Sequence, residues 1–160
     1  MSILRAMIVV VVLFAAGCVP ATSTGIGCST AMQSDVMATD EVCRWMPLVE
    51  VLWPADEVGK ALRIIWCESR GYSERINPSS GTTGLFQVHP GNLYTAQFQP
   101  LIPLIVEDPR LATDWSYIVE WLKEPVNNAR AAHMIWAWQD NRRAWHADWA
   151  CAYILNDYDE

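Results

Sequence analysis

The clearest apolar pattern in the chain lies between Pro54 and Gly71. Val58, Ala61, Leu62 and Ile65 recur at three- and four-residue spacing, which is one stripe along a helix. Pro54 suits a helix start, and Asp56 and Glu57 suit the positive end of a helix dipole. Three residues beyond Ile65 the same inward face carries Glu68, and Gly71 supplies a stop. The pattern therefore predicts a helix whose last turn points a carboxylate at an apolar interior or a cleft.

Other segments carry weaker patterns. Val42, Trp45, Met46, Val49 and Leu52 keep helical spacing but are interrupted by Pro47, so a short helix or two turns is expected. From Tyr72 to Gly91 there is no period, and Gly, Ser, Pro, Asn and Thr dominate. This predicts a long loop, with a small hairpin around "SSGTTG". Residues 92–108, broken by Pro100 and Pro103, are expected to be irregular. Leu111, Trp115, Ile118, Val119 and Leu122 predict a helix that Pro125 ends. "NARAAHMIWAWQD" predicts another, and "RRAWHADWACAYILN" a closing turn with a short C-terminal helix. Strand-like alternation is scarce, so the class is mainly α. The small, polar residues 19–40 predict a flexible linker, leaving 41–160 as one folded domain.

Charge and the N-terminus narrow the function. A net charge of −7 with no basic cluster excludes a nucleic-acid surface. Nine tryptophans fit a large aromatic core, and such rings also stack on sugars. Arg5 precedes an apolar run of 12 residues, Ala6–Gly17. A bilayer-spanning helix needs about 20 residues, so the run fits an export signal over residues 1–18. Its end, "FAAGC", resembles a bacterial lipobox, in which Cys18 would be lipidated after cleavage; Ala15 stands where Leu is usual. The expected location is the exported cell envelope, with a lipid anchor in the membrane, or secretion if Cys18 is not lipidated.

Five cysteines is an odd number for an exported protein. Setting Cys18 aside leaves Cys28, Cys43, Cys67 and Cys151, which allow three pairings that sequence cannot separate. The working expectation is Cys28–Cys43 and Cys67–Cys151. No CxxC or HxxxH spacing exists, and His89, His133 and His146 share no ligand spacing, so neither metal nor cofactor is expected.

Glu68 carries the candidate chemistry. A carboxyl in apolar surroundings has its charged form disfavoured, and a protonated Glu can give its proton to a leaving oxygen. The bland alternative is a solvated Glu at a helix end, paired with Arg70. The neighbouring motifs tilt that balance. "WCESRG" (66–71) followed by "NPSSGTTGLFQVHPG" (77–91) resembles the lysozyme-like superfamily, in particular the soluble-type lytic transglycosylases. There an E-S pair ends a helix and a G-x-x-G-L-[MF]-Q element follows, as Glu68-Ser69 and Gly81–Gln87 do here. A weaker likeness continues through "NNARAAHMIW" to "AWHADWAC".

The resemblance implies a mainly α, lysozyme-like domain with a Gly/Ser-rich active-site loop. Its partner would be peptidoglycan glycan strands, cut at the β-1,4 bond between N-acetylmuramic acid and N-acetylglucosamine. Glu68 would match the single acid/base. Gln87 would line the cleft, or else hold the loop backbone by hydrogen bonds. Ser79 or Ser80 would stand near the hydroxyl that orients the glutamate, or else stabilise the turn, and Asn128 would line the cleft from a helix start. Trp145 and Trp149 could wall a sugar subsite or pack in the core. The family's A-Y-N-A-G segment is missing, so its tyrosine has no counterpart; Tyr94 and Tyr153 are the residues that could stand in. Residues 75–106 hold no Asp or Glu, which fits one-carboxylate chemistry. Glu74, Asp108 or Asp114 would have to serve as a second acid in a hydrolytic lysozyme. A wall-binding protein that keeps the fold is the reading from another class.

Overall fold

Seven α-helices follow one another among the residues that the computed structural model describes, which are 24–96, 98–138 and 149–155. They are α1 (Thr24–Met32), α2 (Asp40–Cys43), α3 (Met46–Leu52), α4 (Val58–Ser69), α5 (Ile102–Glu107), α6 (Trp115–Lys123) and α7 (Pro125–Trp138). Short 3₁₀ turns link them, and another spans Ala150–Leu155. Among the described residues the only strand-like pairing is two isolated antiparallel bridges in the loop after α4. The mainly α class expected from the sequence is what the chain adopts.

The expected stripe decides where α4 sits. Val58, Ala61, Leu62, Ile64 and Ile65 are all buried, and α4 touches α1, α2, α3 and the 150–155 turn. Each large aliphatic side chain so buried stabilises the fold by about 1.5–3 kcal/mol. A second layer forms where α7 packs on α3 and α6. Two disulfides close the arrangement: Cys28–Cys43 ties α1 to α2, and Cys67–Cys151 ties the end of α4 to the 150–155 turn. In the chain-entropy picture their loops are worth about 3 and about 4–5 kcal/mol respectively.

Several expectations need correction. Residues 24–40 are not a flexible linker: α1 is a helix, with Cys28 and Met32 fully buried. Its backbone reaches α4 at Gly59, where a Cβ would stand 1.8 Å from the Ala31 carbonyl oxygen. Small residues make that approach, so no apolar period announces it. Residues 92–108 hold α5, because Pro103 lies in its first turn, where a missing N–H costs nothing. Pro125 both ends α6 and starts α7. The first 23 residues, with the signal and Cys18, lie outside the described residues, as do 139–148 and 156–160.

The loop from Gly71 to Pro90 is held by its own backbone and by α7. Asn77 and Thr82 close the expected hairpin, with the Thr82 carbonyl accepting from the Asn77 N–H at 2.9 Å. Thr83 then pairs with Ile76 on one side and Val88 on the other. Asn128, at the start of α7, donates from Nδ2 to the carbonyls of Thr83 and Leu122 (2.8 and 3.0 Å) and accepts the Phe86 N–H at 2.8 Å.

Gly84 lies against this amide at φ 84°, where a Cβ would meet Asn128 Nδ2 at 2.2 Å and the Leu122 carbonyl at 2.4 Å. Gly81 has φ 76° but nothing within 4 Å. Gly84→Ala is therefore expected to cost about 3 kcal/mol or more, through the clash and the broken amide contacts. Gly81→Ala should cost only the left-handed backbone penalty of about 1 kcal/mol. Urea unfolding of the two variants checks this, and equal losses would contradict the packing at Gly84.

Candidate active site

α4 ends by a double left-handed turn. Arg70 has φ 59° and Gly71 φ 83°, so the reversal starts one residue before the expected glycine. A Cβ on Gly71 would stand 2.2 Å from the Glu41 carbonyl oxygen, which fixes glycine there. The Gly71 carbonyl accepts from Trp45 Nε1 at 2.8 Å and from Arg44 Nη2 at 3.2 Å. Ser69, fully buried, bonds back to the Ile65 carbonyl at 3.0 Å and accepts from the Gly71 N–H at 3.2 Å. The last turn of α4 is thereby fixed from both sides, and Glu68 is carried on it.

Glu68 is partly buried, as its place on the stripe predicts. Arg70 does not neutralise it: the guanidinium lies 3.6 Å over the Trp66 ring and donates to the Trp66 carbonyl at 3.0 Å. Among the described residues the hydrogen bond to the Glu68 carboxyl comes from the Cys151 backbone N–H, 3.3 Å from Oε1. Burial pushes the Glu68 carboxyl above its ordinary 4.5, against the Cys151 N–H and the Arg75 charge, which both pull it down. Neither Cys151 N–H nor Arg75 is signalled by a motif. The Cys67–Cys151 pairing was the one sequence signal that led to the first.

The remaining candidates divide by environment. Gln87 is nearly buried, at φ 50°, and its amide is spent inside the loop: Nε2 donates to the carbonyls of Arg75 and Gly84 (3.0 and 2.9 Å), and Oε1 accepts from Thr82 Oγ1 at 3.0 Å. Asn128 is fully buried with its amide equally occupied, so it pins the loop rather than facing a cleft. Ser79 and Ser80 are exposed; Ser79 bonds Asn77 Oδ1 through Oγ at 2.7 Å, and Ser80 Oγ lies 2.9 Å from Thr82 Oγ1. Both hydroxyls are thus accessible but belong to the turn. Trp145 lies outside the described residues. Trp149 is buried, donates from Nε1 to the Phe86 carbonyl at 2.8 Å, and meets the Phe86 ring edge-on, so its place is the core. Phe86 also stacks on Trp53 with centroids 5.0 Å apart.

Two of the other three carboxyls considered, Asp108 and Asp114, are committed elsewhere. Asp108 accepts from Arg110 Nε and Nη2 (2.9 and 2.7 Å) and from the Tyr117 hydroxyl at 2.6 Å. The Arg110 bonds first, then that of Tyr117, hold its pKa well below the usual carboxylate range. Asp114 caps α6 by accepting the Tyr117 N–H at 3.0 Å. Glu74 is exposed. Tyr94 packs edge-on to Trp115, and Tyr153 is exposed on the 150–155 turn. Among the described residues no group of three or more His, Cys, Asp or Glu could hold a metal ion. No protein-family model matches the chain, and no curated protein or solved structure matches it either.

The raised pKa of Glu68 makes stability depend on pH. Its folded pKa lies above the ordinary 4.5, so the folded state binds the proton more tightly than the unfolded state. That contribution to stability is full below pH 4.5 and is lost as pH rises through the folded-state value. Glu68→Gln should consequently be at least as stable as the wild type at pH 7.5 and lose that advantage at pH 4. Denaturant midpoints at the two values test the sign, and a variant less stable at pH 7.5 than at pH 4, relative to wild type, would contradict it.

Proposed function

We propose that this protein is an exported, peptidoglycan-cleaving lytic transglycosylase of lysozyme-like fold, with Glu68 as its single acid/base. The observation that carries the reading is a carboxyl at the end of an apolar helix face whose pKa burial raises, in a chain with the linked E-S and G-x-x-G-L-F-Q elements. The mainly α architecture and the loop folded directly after that helix are consistent with it.

In the first step protonated Glu68 gives its proton to the glycosidic oxygen as the C1–O bond breaks. The substrate's own N-acetyl group stabilises the oxocarbenium-like centre, so no second carboxylate is required. Glu68, now ionised, takes the proton of the muramoyl O6 hydroxyl while that oxygen bonds C1. The product carries a 1,6-anhydro ring, no water is consumed, and Glu68 regains its proton. A classical glycosidase instead needs a partner carboxyl roughly 5–9.5 Å away. The commitment of Asp108 to Arg110 and Tyr117, and of Asp114 to the α6 cap, favours the route that does without one.

Export fits the cysteines. Two disulfides take up four of the five, and stable bridges belong to oxidising compartments. The odd residue is then Cys18, the lipobox position, and its lipidation would confine cleavage to wall close to a membrane. One chain alone anchors weakly, so anchoring would require the several chains such lipoproteins carry.

Mass spectrometry of fragments released from purified peptidoglycan tests the reading. Fragments ending in anhydro-muramic acid, one water lighter than reducing ends, are expected, and Glu68→Gln should release none above background. Removing a general acid typically costs 10²–10⁴-fold, so wild-type-like cleavage by Glu68→Gln would sink the assignment. Ordinary reducing ends would identify a hydrolytic lysozyme, and binding without Glu68-dependent fragments a wall-binding protein.

A further inference from the structure

Glu68 and Cys67 are neighbours on α4, yet adjacent helical side chains diverge by about 100°, so the disulfide does not lie on the carboxyl itself. The link runs through the other end of the bond. Cys151 is joined to Cys67 by its sulfur and donates its own N–H to Glu68 Oε1. At 3.3 Å that hydrogen bond is long and could not hold a chain segment in place by itself. What holds the segment is the covalent bond, together with the burial of Ala152 and Leu155 and the Trp149 contact to the Phe86 carbonyl.

We propose that Cys151 is a positioning residue for Glu68: its disulfide to Cys67 keeps its N–H and the 150–155 turn against the carboxyl, and the acid is assembled only while that bond is intact. The proposal rests on the reading of Glu68 as the proton donor. The turn brings two opposed effects, a donor that favours the ionised carboxyl and a cover that favours the neutral one. Burial of Glu68 outweighs the Cys151 N–H and the Arg75 charge, and the 150–155 turn is one of the elements packed on α4. Among the described residues the charge acting on Glu68 is Arg75. The elements packed on α4 bring Asp40, Glu41 and Arg44 from α2, Glu50 from α3 and Tyr153 from the turn, and α1 carries no charged residue. Releasing the turn therefore returns Glu68 towards an ordinary carboxylate, ionised at neutral pH and unable to donate.

The experiment is an NMR titration of the full, isotope-labelled chain, following the Glu68 carboxyl carbon and the Cys151 amide, beside the pH profile of glycan cleavage. In the wild type both signals should titrate with one midpoint, and the amide titration should vanish in Glu68→Gln. In Cys67→Ala/Cys151→Ala the Glu68 midpoint should fall towards 4.5. The alkaline limb of the cleavage profile should fall with it, about tenfold in rate for each unit at a fixed pH above the midpoint. Cys28→Ala/Cys43→Ala, which removes the other bridge, should leave the midpoint where it is. A Cys151 amide that does not follow Glu68, or a folded Cys67→Ala/Cys151→Ala chain with the wild-type midpoint, overturns the proposal. If that variant does not fold, the wild-type amide titration decides. Wild-type protein that cleaves no glycan, while its amide still follows Glu68, would remove the transglycosylase reading and keep the structural link.

Discussion

The amide of Asn128 is the joint on which the described structure turns. It is fully buried, and its three hydrogen bonds gather the end of α6, the start of α7 and the Thr83–Phe86 stretch of the loop. A buried amide left unpaired costs about 1–3 kcal/mol for each orphaned group, so the three contacts stand or fall together. With Phe86 fixed by its N–H, its ring fills the space between Trp53 and Trp149, and its carbonyl receives the Trp149 indole N–H. Trp149 leads directly into the turn that presents the Cys151 N–H to Glu68. The carboxyl is therefore positioned along two routes, one down α4 and one from α7 through the loop.

The electrostatic contrast between Glu68 and Asp108 follows from where these routes end. Glu68 is partly buried and, among the described residues, receives one long hydrogen bond, so burial shifts it towards its neutral form. Asp108 stands among donors, with a guanidinium and a phenol hydroxyl on its oxygens, so its charged form is favoured. The two environments drive the carboxyls in opposite directions, which is the separation the proposed acid chemistry calls for. Asp108 and Asp114 bracket the approach to α6 as caps, which is sufficient reason for both to be acidic.

What could be read from the sequence was what side-chain chemistry repeats. The α4 stripe, its inward Glu68 and the hairpin near Gly81 follow from spacing and turn residues, and they are where the pattern put them. The cysteine pairing was one of three possibilities, singled out only by joining near neighbours first. Helix α1 escaped because backbone contact with α4 at Gly59 and a disulfide to α2, not an apolar stripe, hold it in place. The sequence left Gln87 between two roles because an amide looks the same whether it faces a ligand or closes a loop, and the structure shows the amides of Gln87 and Asn128 bonded within the fold. Arg70 looked like a partner for Glu68, but an adjacent aromatic face took its guanidinium.

The proposed single-acid chemistry imposes a demand that a pair does not. With two carboxyls, each can tune the other through charge; with one, the elevation of its pKa has to come from enclosure. Enclosure that depends on a short turn is easily lost unless something ties the turn down. Here the tie is covalent and sits one residue from the acid, at Cys67, and it closes a loop of 84 residues that includes most of the described fold. Placed at α4's last turn, the same bond also retains the turn that helps to keep Glu68 enclosed.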